Sequence, residues 1–104
     1  MTRIRFKRGV KIRGLKPEMA AAIPIIASTY FRLGYTDCVF TSGVDGDHME
    51  GSKHYEGGAL DLRIWEVPHD DLSHLKAAIA GALTDEFDVV GEETHIHIEF
   101  DAKD

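Results

Sequence analysis

Polar and apolar positions along the chain change period several times, and each change marks an element. Residues 3–7 alternate (Arg3, Ile4, Arg5, Phe6, Lys7), the period of a short strand with one wet face. Pro17 then suits the first turn of a helix whose apolar side carries Met19, Ile23, Ile26, Tyr30 and Leu33, with Gly34 as the stop. Pro24 conflicts with a regular helix there, because an interior proline costs about 3 kcal/mol or more. The pattern therefore predicts either a kink at Pro24 or a regular part that begins near it. Residues 37–42 read as a strand, 43–56 as a long glycine-bearing loop and 58–64 as a second strand. A helix over 70–83 has Leu72, Leu75, Ala78, Ile79 and Leu83 as its stripe. Strands at 87–90 and 94–100 finish the chain. Together these elements predict a single α+β domain over 1–104, a small antiparallel sheet backed by helices.

The same alternation sorts side chains by face. In 94–100, His95, His97 and Glu99 share one side, whereas Ile96, Ile98 and Phe100 share the other and need a core. In 58–64, Leu60, Leu62 and Ile64 take the core side, which turns Asp61 away from it. His54 lies in the loop entering that strand, and Gly57 and Gly58 allow a tight path between His54 and Asp61. Ser52-Lys53-His54-Tyr55-Glu56-Gly57-Gly58-Ala59-Leu60-Asp61 reads S-x-H-x-x-G-x-A-x-D, and His95-Ile96-His97 supplies an H-x-H. Two imidazoles and a carboxylate suit one zinc ion, with His54, Asp61 and His97 as the candidate ligands and a fourth position left for water. Water on such an ion has its pKa lowered toward ~7. A zinc site on the sheet face is the expectation.

Composition changes this picture in three places. Seven basic residues, Arg3, Arg5, Lys7, Arg8, Lys11, Arg13 and Lys16, precede the first acid, Glu18, although the chain as a whole carries −6. Such an arm can serve nucleic acid or wall phosphate, but a solvated edge strand neutralised by the acidic body is the simpler account, and we read it so. The basic stretch before the apolar run at 19–27 resembles a signal peptide. Its basic region is long, however, Glu18 interrupts the approach, and helical spacing continues into Thr29, Tyr30 and Arg32, so a domain helix is expected. No run approaches the ~18 apolar residues of a membrane span. The single cysteine, Cys38, lies in an apolar run and excludes an intramolecular disulfide framework. Asp45 to Glu50 is acidic, but lacks the sixth-position glycine and distal glutamate of a calcium loop.

From residue 41 to Glu99 the chain resembles the zinc D-alanyl-D-alanine carboxypeptidase family, which includes bacteriophage L-alanyl-D-glutamate endolysins and shares its fold with the hedgehog signalling domain. The S-x-H-x-x-G-x-A-x-D motif is complete. The resemblance implies an antiparallel sheet with flanking helices, and zinc held by His54, Asp61 and His97. Two positions depart from the pattern. Val44 and Asp45 stand where the family usually has an aromatic residue and a carboxylate-binding arginine. Thr94 stands where many members have an acid, while Glu92 and Glu93 lie slightly earlier.

The activity so implied is hydrolysis of an amide bond in the peptidoglycan stem peptide, of carboxypeptidase or endolysin type. A carboxylate takes the proton from the attacking water and later returns it to the leaving amine. Alternation puts Glu93, not Glu92, on the histidine face, which makes Glu93 the expected general base. His95 is expected to orient water or stabilise the oxyanion. Ser52, which opens the motif, and His48, in the loop before it, are the expected substrate contacts, while His69 and His74 read as solvated or capping residues. The expected protein is a monomer made in the cytoplasm that acts on the bacterial cell wall. A zinc-bearing binding or structural module without turnover is the competing expectation.

Overall fold

The computed structural model describes residues 2–45 and 53–102. Five strands, β1 (Arg3–Phe6), β2 (Asp37–Ser42), β3 (Ala59–Arg63), β4 (Phe87–Gly91) and β5 (His95–Phe100), form one sheet in the order β1-β2-β3-β5-β4. Helices α1 (Pro17–Arg32) and α2 (Leu72–Ala82) complete the α+β architecture. Strands β2, β3, β5 and β4 pair antiparallel, as alternation and short turns suggest. The β1–β2 pair is parallel, which makes the sheet mixed rather than wholly antiparallel. The reason lies in the connection: the chain leaves β1 and returns through α1, and a helical crossover delivers the next strand in the same direction.

Both helices cover one face of the sheet. Met19, Ala22, Ile26 and Tyr30 of α1 and Leu75 and Ile79 of α2 bury against Cys38, Phe40, Leu60, Leu62, Ile96 and Ile98. The apolar run at 19–27 is therefore core-forming helix. Helix α1 begins at Pro17, whose missing N–H costs nothing in the first turn, and runs through Pro24 to Arg32. Burial pushes the Cys38 thiol up from its ordinary range, the property of an unreactive core thiol. Among the described residues no helix is long and apolar enough to cross a membrane.

Strand β1 is an edge strand with all four residues exposed, so the basic segment begins as the solvated edge that its charge pattern suggests. Arg3 there pairs with Asp37 at 2.9 Å.

Candidate metal centre

The face that the helices leave uncovered carries the polar alternates. Asp61 of β3 stands directly opposite His97 of β5, with Arg63 opposite His95 and Ala59 opposite Glu99. On the other side of β3, Ser42 stands opposite Asp61, after a bulge that shifts the β2–β3 register between Phe40 and Ser42. The bulge lets Phe40 face the core while Ser42, two residues on, lies beside the polar row. His54 arrives from a one-turn 3-10 helix, Lys53–Glu56. That turn closes at Gly57, whose φ of +78° favours glycine. A side chain there would also collide with the Gly14 carbonyl. Lys16 N–H donates to the Gly57 carbonyl at 2.9 Å, and Phe100 N–H to the Gly58 carbonyl at 2.8 Å. The turn is thus tied to the N-terminal segment on one side and to β5 on the other.

His54 Nε2, Asp61 Oδ1 and His97 Nδ1 converge. The three separations are 3.1 Å (His54–Asp61), 2.9 Å (His97–Asp61) and 3.3 Å (His54–His97). His54 and Asp61 are buried and His97 is half-buried.

The outer nitrogens decide what faces the centre. His54 Nδ1 lies 2.7 Å from the Gly43 carbonyl, which only accepts, so that nitrogen carries hydrogen. His97 Nε2 lies 2.9 Å from Glu99 Oε1 and donates to the carboxylate in the same way. In neutral imidazoles the remaining nitrogens then hold lone pairs, and both point at the Asp61 carboxylate. Three acceptors within 3.3 Å of one another repel unless a proton or a cation lies among them. Donors ~2.0–2.1 Å from a tetrahedral zinc would stand about 3.3 Å apart, which matches the spacing found. His54, Asp61 and His97 can therefore hold a metal ion.

Without a metal, a proton takes that place. The Asp61 carboxylate raises the His97 pKa most; burial opposes it, Glu99 adds to it, and the result is about 9. Burial by itself would raise the Asp61 pKa, but its contacts with His54 and His97 hold it well below the usual carboxylate range. His97 is then an imidazolium at neutral pH, donating to Asp61 and to Glu99.

His95 borders this group, with Nε2 3.7 Å from Asp61 Oδ1, and its side chain is 31% exposed. The acids of the β4–β5 turn stand apart. Strand β5 begins at His95, so the alternation that turns His95 and His97 toward the site stops short of Glu93. Glu93 is exposed in the bend and makes no hydrogen bond or ion pair among the described residues. Glu92 N–H closes the hairpin on the His95 carbonyl at 2.8 Å. Ser52 and His48 lie outside the described residues, as does most of the acidic stretch from Asp45 to Glu50.

Two supporting groups were beyond the motif reading. Alternation placed Glu99 on the site face but gave it no role, and its position two residues after His97 is the signal that pointed to it. The Gly43 carbonyl had no signal, since backbone acceptors are invisible in sequence. A side chain at Gly43 would press on the Lys11 carbonyl at 2.5 Å, so glycine is what permits this close passage. Asp45 holds the same passage together: its Oδ1 accepts from Lys11 N–H at 2.6 Å and from Gly43 N–H at 3.0 Å.

Comparison of the chain with known protein families, curated proteins and solved structures returned no match.

Proposed function

We propose that the protein is a zinc-dependent peptidase that hydrolyses an amide bond in the peptidoglycan stem peptide. The observation that carries this reading is the convergence of two imidazole nitrogens and one carboxylate oxygen at 2.9–3.3 Å, each imidazole oriented from behind by an oxygen acceptor. A fixed, partly open site of this kind is what catalytic zinc needs, and the resemblance of the surrounding motif supplies the substrate class.

Zinc bound there would supply Lewis-acid polarisation of a carbonyl and a lowered pKa for water. The chain's own groups supply the rest. His54 and His97 present lone pairs because Gly43 and Glu99 hold their outer N–H groups. His95, which borders Asp61 and is partly exposed, would donate from its ring N–H to a carbonyl oxygen that gains charge. A carboxylate of the β4–β5 turn, Glu93 in this proposal, takes a proton from the attacking water and passes it to the leaving nitrogen. Turbidity loss from purified peptidoglycan, abolished by a chelator and restored by zinc, is the expected result. Stable turbidity with stoichiometric zinc would leave the second reading, a metal-bearing module without turnover. What favours that reading is the exposure of Glu93 in a bend with no bond to the cluster.

A further inference from the structure

Beside the metal row, on the same open face, lies a cleft of about 190 Å³ lined by Arg5, Asp37, Val39, Arg63, Trp65 and Glu66. It is smaller than the ~300–1,000 Å³ of drug-sized pockets, a size suited to one amino-acid residue. Its four charges are not equivalent. Asp37 accepts from Arg3 Nε at 2.9 Å. Glu66 accepts from Asp37 N–H at 3.2 Å and from the Thr36 hydroxyl at 3.4 Å. Both acids are thus engaged at the rim. Arg5 and Arg63, in contrast, have no carboxylate within ion-pair distance among the described residues. The Arg63 guanidinium carbon lies over the Trp65 ring, 3.8 Å from its centroid, a cation–π contact that restrains the side chain without neutralising its charge. Trp65 itself is 79% exposed, an uncommon position for the chain's one tryptophan.

We propose that this cleft is a carboxylate-binding subsite, in which Arg5 and Arg63 hold the anion and the Trp65 ring forms one wall. The two acids leave the cleft with no net charge, which suits a monoanionic carboxylate over a phosphate dianion. Register sets the spacing between the cleft and the cluster. Arg63 pairs with His95, and Asp61, two residues before Arg63 on the same face, pairs with His97. The Cα atoms of Asp61 and Arg63 are thus about 6.8 Å apart, roughly two residues of extended peptide. A ligand whose carboxylate sits in the cleft therefore lays a bond one or two residues further in across the cluster. That alignment rests on the hydrolytic reading above, whereas carboxylate capture does not.

Trp65 emission provides a readout that needs no turnover. The full chain, zinc-loaded and chelator-treated, is titrated with N-acetyl-alanyl-alanine, with its C-terminal amide and with inorganic phosphate. The acid should give a saturable change with either preparation, and the amide and phosphate should bind roughly tenfold or more weakly, the scale of a lost charge-assisted contact. Arg63→Gln and Arg5→Gln should each weaken the acid by a similar factor. Arg8→Gln, which alters the same basic segment outside the cleft, should leave it unchanged. Equal binding of acid and amide overturns the proposal, as does tighter phosphate binding, an unaffected Arg5→Gln chain, or no response up to about 10 mM. Arg5 lies on an exposed edge strand, so its variant decides the matter even if Arg63→Gln fails to fold. Acid binding without peptidoglycan hydrolysis keeps the subsite and removes the peptidase.

Discussion

The two ends of the site are built by different means. At the Asp61–His97 end, paired strands set each backbone position, a 3-10 turn brings His54 over them, and acceptors behind the imidazoles set which nitrogen faces inward. At the Glu92–Glu93 end the chain is in a hairpin bend, where the Glu92 N–H bonds the His95 carbonyl and the Glu93 side chain has no partner among the described residues. The first end is held by contacts among its own residues; at the second, Glu93 is exposed in a bend. Ligand assignment is therefore a statement about the fold, while assignment of the general base is a statement about a bound state.

The sharpest way to break this contrast is to remove a ligand. His54→Ala, Asp61→Ala and His97→Ala should each abolish stoichiometric zinc, since three ligands leave none to spare; full zinc in the Asp61 variant, by elemental analysis, would dismiss it from the set. His95→Ala should keep most of the zinc and lose activity by roughly 100- to 1,000-fold, the scale of a removed oxyanion donor. Zinc loss equal to that of His97→Ala would mean that both histidines coordinate. Glu93→Gln should keep zinc and lose roughly 100-fold or more in turnover. If Glu92→Gln is the damaging change instead, the bend overrides the strand face.

A smaller effect probes the support behind the metal. Glu99→Gln should weaken zinc by roughly 10- to 100-fold in competition with a chromogenic chelator, the usual consequence of losing an outer acceptor. The smallest effect is a proton. Because His97 holds one up to about pH 9 in the metal-free chain, zinc must displace it. Apparent affinity should rise about tenfold per pH unit toward 9 and level off above it. For the metal-free chain the signs follow from the same shifts. The raised His97 pKa contributes stability fully present below its ordinary 6.5 and lost as pH rises through about 9. The lowered Asp61 pKa contributes stability present above its ordinary 3.8 and lost as pH falls. Calorimetric titration with zinc in buffers of different ionisation enthalpy reads the released proton directly.

Much of this was legible in the residues because period-two alternation is a statement about faces. Ile96 and Ile98 had to be inside, so His95, His97 and Glu99 had to be outside, and that is where they lie. Alternation is silent about partners and atoms. It could not tell that β1 joins β2 in parallel, because that depends on the crossover through α1. Nor could it tell that His97 presents Nδ1 and His54 Nε2, because those choices follow from Glu99 and a carbonyl in another loop. Carried two residues ahead of the start of β5, it put Glu93 on the site face, although Glu93 lies in a bend rather than in the strand. The cleft at Arg63 escaped notice for a related reason, since Arg5 reaches it from a strand far away in sequence.

The separations among the three converging side chains have a kinetic consequence. His54 and Asp61 are 7 residues apart, but His97 is 36 from Asp61 and 43 from His54. Closing those longer loops carries an entropic cost that grows with their length, and topologies rich in such contacts fold slowly. The three donors are together only once β3 and β5 have joined. Metal bound at these donors would thus be captured late in folding, and its release from a loaded chain should time the parting of those two strands.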